Sequence, residues 1–282
     1  MASFNTENWV KLEAIGGGYI LNGQKLLREL TVEETVSKTF NLYLNNFVLF
    51  FVPFLINSLV NSIMVSTLLD YVRYVETNFD FGAPADEIWL QFSAMLSAFM
   101  LVFFLFLLVL WITTAVTHGI CIKYASNLMS EEMPSFNNAF SFAIRKLPSL
   151  LIATLIGGIL VIFGLIAFIV PGVILGIMYF LVVPVILNEN VGTLSSLSRS
   201  KFLVNGRWFK TFAVFLIVGI VVAVASSITG LITMPFGDFS WLASSILVAL
   251  FEPLLPIAIA VHYFSMRGKE EQRSILLPPL PF

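Results

Sequence analysis

From residue 88 to residue 122 the chain carries no Asp, Glu, Lys or Arg. An α-helix needs about 20 apolar residues to cross a hydrocarbon core about 30 Å thick, so a run of this length marks a membrane span rather than a buried helix of a soluble domain. Comparable uncharged stretches cover 39–69, 147–188 and 211–237, and one more, 239–266, is interrupted only by Glu252. Composition agrees. Of 282 residues, 58% are hydrophobic and 11% charged, against about 25% charged in soluble domains, and the mean hydropathy is +0.93. The expected class is all-α, a polytopic membrane helix bundle.

The same counts exclude other classes. A net charge of −2 offers no basic field for nucleic acid. Cys121, the one cysteine, has no disulfide or zinc-binding partner, and nothing calls for a cofactor or metal. The first 40 residues hold Lys11, Lys25, Arg28 and Lys38 among five glutamates with no apolar core, so no cleavable signal peptide is expected.

Six spans are expected, at 46–69, 88–118, 149–170, 172–187, 208–233 and 240–264. Lys and Arg are retained on the cytoplasmic side, and with both termini inside, 14 of the 15 basic residues are cytoplasmic, leaving Arg73 outside. This divides the chain into a cytoplasmic arm (1–30), a six-helix membrane domain (31–266) and a cytoplasmic tail (267–282). Val170-Pro171-Gly172 should form a tight hairpin, because Pro cannot donate and the residue before it avoids the helical region. The short fourth span, with Pro184 near its end, is alternatively a kinked or half-inserted segment.

Three amphipathic helices should precede the first, third and fifth spans on the cytoplasmic side. In the first, Thr31 and Glu34 read as a capping box, with Val32, Val36, Phe40, Tyr43 and Phe47 on the apolar face and Glu33, Lys38, Asn41 and Asn45 opposite. In the second, Ser135 caps, Phe136, Phe140, Ala143, Ile144 and Leu147 share a face, and Pro148 ends the helix. In the third, Val191, Leu194, Leu197 and Phe202 cluster, and Asn205-Gly206 closes it. Helix plus hairpin, three times over, suggests a parallel internal repeat, although only Ser37-Lys38-Thr39-Phe40 and Ser200-Lys201-Phe202 agree in sequence. The basic residues Lys38, Arg145, Lys146, Arg199, Lys201 and Arg207 are candidate contacts for anionic lipid headgroups.

The order of local patterns resembles a known family. The segment 29–47, ELTVEETVSKTFNLYLNNF, is similar to the opening helix of the membrane domain of some glycerophosphoryl diester phosphodiesterases and of related stand-alone six-helix membrane proteins. The likeness continues through Pro171-Gly172, Pro184 with Glu189, Arg199-Ser200, Asn205-Gly206-Arg207-Trp208 and His262-Tyr263-Phe264-Ser265-Met266-Arg267, covering about residues 29 to 268. In the enzymes of that family the chemistry belongs to a separate soluble barrel with a metal site, for which this sequence has no residues left over. Ser265 also stands where the family usually has an acidic residue. The resemblance implies a six-helix membrane module linked to lipid or glycerophosphodiester handling.

Among residues able to carry chemistry, Glu252 stands out. It falls about midway along the sixth span, next to Pro253 and Pro256, which free the carbonyls of residues 249 and 252. An intramembrane carboxylate beside unpaired carbonyls can build a cation or proton site; the structural alternative is a protonated Glu252 donating to a polar neighbour. Asn57 and Asn61, with Ser58, Ser62 and Ser66, form a stripe on the first span expected level with Glu252, either as a solute path or as helix glue. Ser226, Ser227, Thr229 and Thr233 make a second polar patch. Gly172 and Gly176 form a GxxxG pair. His118, His262 and Cys121 would make a poor catalytic set, Gly16-Gly17-Gly18 reads as a flexible break, and the Pro-rich tail 277–281 as an extended end. Three functions are therefore weighed. The first is a module without a catalytic site that binds membrane lipids, a protein partner or a second copy at the cell membrane. The second is a small-solute or ion transporter centred on Glu252, Asn57 and Asn61. The third, an intramembrane lipid hydrolase, lacks a nucleophile paired with a base.

Overall fold

The computed structural model describes residues 18–21, 24–27, 29–130, 135–189 and 191–276. Six helical segments are long and apolar enough to cross a membrane, Phe47–Asn78, Ala85–Met129, Phe136–Ala167, Ile169–Asn188, Trp208–Gly237 and Ser240–Gly268. By length and composition this is a multi-pass membrane protein. A short antiparallel hairpin, β1 (Gly18–Leu21) and β2 (Gln24–Leu27), precedes them. Gly18 thus opens a strand instead of a flexible break; Gly16 and Gly17 lie outside the described residues, as does the tail 277–281.

Helix α1 (Val32–Asn45) starts on the expected capping box, with the Glu34 amide donating to Thr31 Oγ1 at 3.1 Å and the Thr31 amide to Glu34 Oε2 at 2.8 Å. At Asn46 the chain turns into α2 (Phe47–Asn78), which is paired by a loop with α3 (Ala85–Met129). At 45 residues and about 1.5 Å per residue, α3 is more than twice as long as the hydrocarbon core is thick. Helix α4 (Phe136–Ala167) joins the second amphipathic stretch to the third span without a stop. Pro148 therefore sits inside a helix and does not end it. A proline lacks one backbone donor and crowds the preceding turn, which a single long helix held by neighbours on both sides of that point tolerates.

The hairpin turn also lies earlier than expected. Phe168, extended at φ −163° and ψ 150°, breaks the chain, and α5 (Ile169–Met178) begins on the next residue. Pro171 is the third residue of α5, where its missing N–H has no intrahelical acceptor to lose. Pro184 sits likewise in the first turn of α6 (Val182–Asn188), and the real break is at Tyr179–Leu181. There Ser200 of α7 (Thr193–Val204) donates to the Met178 carbonyl at 2.7 Å and accepts from the Leu181 amide at 3.1 Å, satisfying the groups that the break exposes. Gly206, at φ 74°, closes α7 as anticipated.

The chain ends in α8 (Trp208–Thr233), a 3-10 turn (Met234–Phe239), α9 (Ser240–Ala249) and α10 (Leu254–Leu276). The α9–α10 break at residues 250–253 faces the α1–α2 turn, because Tyr43 donates to the Leu250 carbonyl at 2.6 Å. At the other end of α1 the Leu30 amide donates to Ser265 at 2.8 Å. Helix α1 therefore runs antiparallel alongside α10.

Three units of one helix and one hairpin are related by how they pack. Helix α1 lies on α10 and α8, the start of α4 lies on α3, and α7 lies on α6 and α4. Each leading helix closes on the hairpin before it, and the first closes on the last. The contact is made by small residues at i, i+4 spacing: Thr35 and Thr39, Ala139 and Ala143, Ser196 and Ser200, every one fully buried. Thr35 and Thr39 bond back to carbonyls one turn earlier at 2.7 and 2.8 Å, so their hydroxyls are buried already satisfied. A Cβ on Gly119 would stand 3.2 Å from that of Ala143, which shows how closely α3 and α4 approach. Phe136, Phe140, Ile144, Leu194 and Phe202 are exposed, and Val32, Val36 and Phe40 only partly covered.

Candidate functional site

Inside the ring, α3, α6 and α10 meet, and their facing residues, among them Tyr124, Ile186, Ile257 and Tyr263, are fully buried. Their charged ends carry the polar chemistry. Arg199 forks onto Glu270 with bonds of 2.8 and 2.5 Å and donates through Nε to Glu189 at 2.6 Å. Tyr263 donates to the other Glu189 oxygen at 2.9 Å. The hydrogen bonds to Glu270 hold the guanidinium above its ordinary range, with those to Glu189 adding to them and burial opposing. A second cluster joins Lys210 to Glu29 at 2.8 Å and Arg207 to the same carboxylate at 3.5 Å. Arg199 and Arg207, expected as headgroup contacts, are thus engaged by carboxylates within the protein.

Beside these clusters lies a polar pocket of about 500 Å³ lined by Lys123, Asn127, Ser130, Phe142, Lys146, Asn188 and Arg267 together with apolar Ile186, Leu187 and Phe264. Lys123, Arg145 and Lys146 surround the Phe142 ring at 5.1, 5.7 and 5.9 Å. Of the six basic residues singled out from the sequence, Lys146 alone lines this pocket; Arg145 and Lys201 are exposed and Lys38 half-buried. Lys123 and Arg267 were missed. Each is the first charge after a long apolar run, and that was the available signal.

Two apolar grooves open between hairpins. One, about 300 Å³, is lined by α4, α5 and α8, with Gly172, Gly176, Phe180 and Phe212 in its wall and exposed Val173 and Phe215 at its rim. The other, about 240 Å³, lies between α2, α3 and the start of α4, with Pro53, Asn57 and Thr117 in its wall and exposed Ile56 and Phe136 at its rim.

Glu252 sits in the α9–α10 break, half-buried, and its Oε2 has no hydrogen-bond partner among the described residues; Oδ1 of Asn57 and of Asn61 are in the same position. The carbonyls capped there are those of Leu250, by Tyr43, and Pro253, by the Cys121 thiol at 3.9 Å. Asn57 is one residue from Ser58, which donates to the Ser245 carbonyl at 2.9 Å. Glu252 follows Ser245 by seven residues, beyond the end of α9 at Ala249. His118 faces Phe54, and His262 pairs with Thr211 at 2.9 Å, so the histidines and Cys121 have separate neighbours. Among the described residues no group of three His, Cys, Asp or Glu could hold a metal.

No protein-family model, curated protein or solved structure matches the chain.

Proposed function

We propose that this chain is a membrane module without a catalytic site of its own, set in the cell membrane with both termini cytoplasmic, and that it binds membrane lipids. The observation that carries the reading is the pair of apolar grooves opening laterally between hairpins. A helix bundle whose outward face is apolar stands in hydrocarbon, so the groove mouths meet acyl chains and not water. The glycines of the first groove let a chain lie against the backbone of α5. The likeness to the glycerophosphodiester phosphodiesterase membrane domain points to lipids as the ligand class, and the basic residues gathered at one end of the bundle support a cytoplasmic orientation.

A groove-filling substitution tests this. A Cβ at Gly176 would meet nothing within 4 Å, so a side chain there starts into open space and Gly176→Phe occupies the groove. Photolabelling by a neutral lipid with a diazirine in its acyl chain should map to α5 and α8 in the parent and fall several-fold in Gly176→Phe; undiminished labelling refutes the reading. The oxygens of Glu252, Asn57 and Asn61 that have no partner among the described residues favour transport as the second reading. Solute uptake by proteoliposomes that Glu252→Gln abolishes, with groove labelling intact, would move the function there.

A further inference from the structure

We propose, as an extension that rests on the lipid reading, that the groove between α2, α3 and the start of α4 takes a neutral lipid alcohol whose hydroxyl donates to Asn57 Oδ1.

Pro53, Ile56, Asn57 and Val60 recur at i, i+3, i+4 and i+7, so one face of α2 lines this groove. The wall is apolar apart from Asn57, Thr113 and Thr117, and Thr113 already donates to the Leu110 carbonyl at 3.2 Å. Asn57 is only 6% exposed, and its Oδ1 has no hydrogen-bond partner among the described residues. Buried polar atoms in folded proteins are nearly always bonded, because a lone one has lost water and gained nothing. Helix contact is not what occupies this amide. On the same stripe Ser58 donates to the Leu55 and Ser245 carbonyls and Ser62 bonds to the Ser245 hydroxyl, so those serines hold α2 to α9 while Asn57 serves the groove.

An acceptor oxygen calls for a donor. Acyl chains, ester groups and phosphodiesters carry none, so a phospholipid tail in the groove would leave Oδ1 unsatisfied. A charged headgroup does not fit at this depth either. The first charge on α3 after Thr117 is Lys123, six residues and about 9 Å further on, and α2 has none before Asp70. No ionisable side chain lines the groove among the described residues, so an ion drawn in would lose its water without meeting an opposite charge. A hydroxyl is the small group that donates and stays neutral. Thr117, also 6% exposed, stands across the groove and offers its own hydroxyl to the ligand oxygen. The volume of about 240 Å³ is below the about 300–1,000 Å³ of sites that enclose a whole small molecule. Only the hydroxyl end is therefore enclosed. The remaining chain passes Phe136 and Phe140, whose rings stack at 5.9 Å on the exposed rim, into hydrocarbon.

Phosphatidylcholine proteoliposomes holding the full chain are photolabelled with two matched probes, a long-chain alcohol carrying a diazirine and its methyl ether, which keeps the oxygen and loses the donor. In the parent the alcohol should label α2, α3 and the Phe136–Phe140 rim at about tenfold lower concentration than the ether. In Asn57→Leu the two should label alike. Equal labelling by the pair in the parent, or a preference that survives Asn57→Leu, overturns the proposal. Displacement of the alcohol by unlabelled diacylglycerol keeps the site and assigns it to a glycerolipid; displacement by a sterol alone keeps it and assigns it to a ring alcohol. Labelling of α5 and α8 by the acyl-diazirine lipid is read in the same samples. Its absence from the parent removes the lipid reading as a whole, whereas its presence beside equal alcohol and ether labelling removes the hydroxyl assignment alone. Should Asn57→Leu lose the α5–α8 labelling through misfolding, Asn57→Ser replaces it: the short hydroxyl bonds back to its own helix, and the same loss of preference is expected.

Discussion

Replacing Arg199 by Gln separates a structural cation from a headgroup contact. Three charge-assisted bonds tie Arg199 to Glu189 and Glu270, linking the ends of α6, α7 and α10. Hydrogen bonds to charged groups contribute about 1.5–3 kcal/mol each when well shielded, and removing one partner of a buried pair costs about 3–5 kcal/mol. Exposed pairs give about 0–1 kcal/mol. Here the side chains are 25%, 17% and 37% exposed, and Tyr263 continues to donate to Glu189 after the change. The figure between these limits is about 2 kcal/mol. At about 2–4 °C per kcal/mol for a chain of this size, Arg199→Gln should melt about 4–8 °C lower in detergent, by less in 0.5 M salt. Anionic-lipid affinity should stay within twofold. Lys201→Gln, at an exposed neighbour, should shift the midpoint by no more than about 2 °C, since surface substitutions usually stay within ±0.5 kcal/mol. The reasoning fails if Arg199→Gln melts with the parent and loses anionic-lipid binding instead, which is the signature of a cation that faces headgroups.

Two further outcomes test the packing. Burial pushes the Tyr43 hydroxyl up to about 12, while an unfolded tyrosine ionises near 10. Between those values the unfolded state loses its proton first, so stability falls as pH rises through the window, by up to about 3 kcal/mol at 1.36 kcal/mol per unit. Melting curves of the parent and Tyr43→Phe from pH 9 to 12 should converge at the alkaline end, and parallel curves would remove the burial argument. Gly172→Ala places a Cβ 2.7 Å from the Leu165 backbone nitrogen, an overpacking that costs about 1–3 kcal/mol. Gly158→Ala, with open space around it, should be neutral or stabilising by up to about 1 kcal/mol, and the reverse order in unfolding experiments would contradict the α4–α5 approach.

The spans were legible because a hydrocarbon layer of fixed thickness demands long uncharged runs, and few other constraints produce them. The breaks were less so. Pro171 and Pro184 mark helix starts, while the chain bends at Phe168 and at Tyr179–Leu181, where no proline stands; the Tyr179–Leu181 break is held by Ser200, remote in sequence. The leading helices were read from their large apolar residues, and Phe136, Phe140, Leu194 and Phe202 are on the outward face; that pattern leaves the face packed on the protein unread. With hydrocarbon outside, large apolar side chains gain nothing by turning in, and close backbone approach decides the inner face. Read with that rule, Thr35 and Thr39, Ala139 and Ala143, and Ser196 and Ser200 show the repeat that matching Ser-Lys-Phe fragments did not. The polar pocket was illegible for another reason: its residues come from four helices distant in sequence, and no one segment carries its pattern.

The way the units close also accounts for where hydroxyls are found. The second helices of the second and third hairpins are broken, at Tyr179–Leu181 and at residues 250–253, and in each case the helix packed against the break brings a hydroxyl to it, Ser200 in one and Tyr43 in the other. The second helix of the first hairpin, α3, is unbroken, and the helix packed on it brings Ala139 and Ala143. Polar groups freed from an intrahelical bond in hydrocarbon cost several kcal/mol unless satisfied, so a break is tolerated only where its neighbour carries a donor or acceptor. A continuous helix needs none, and alanine permits the closest approach. The three units therefore share one packing rule and differ in chemistry according to whether the helix they cover is whole.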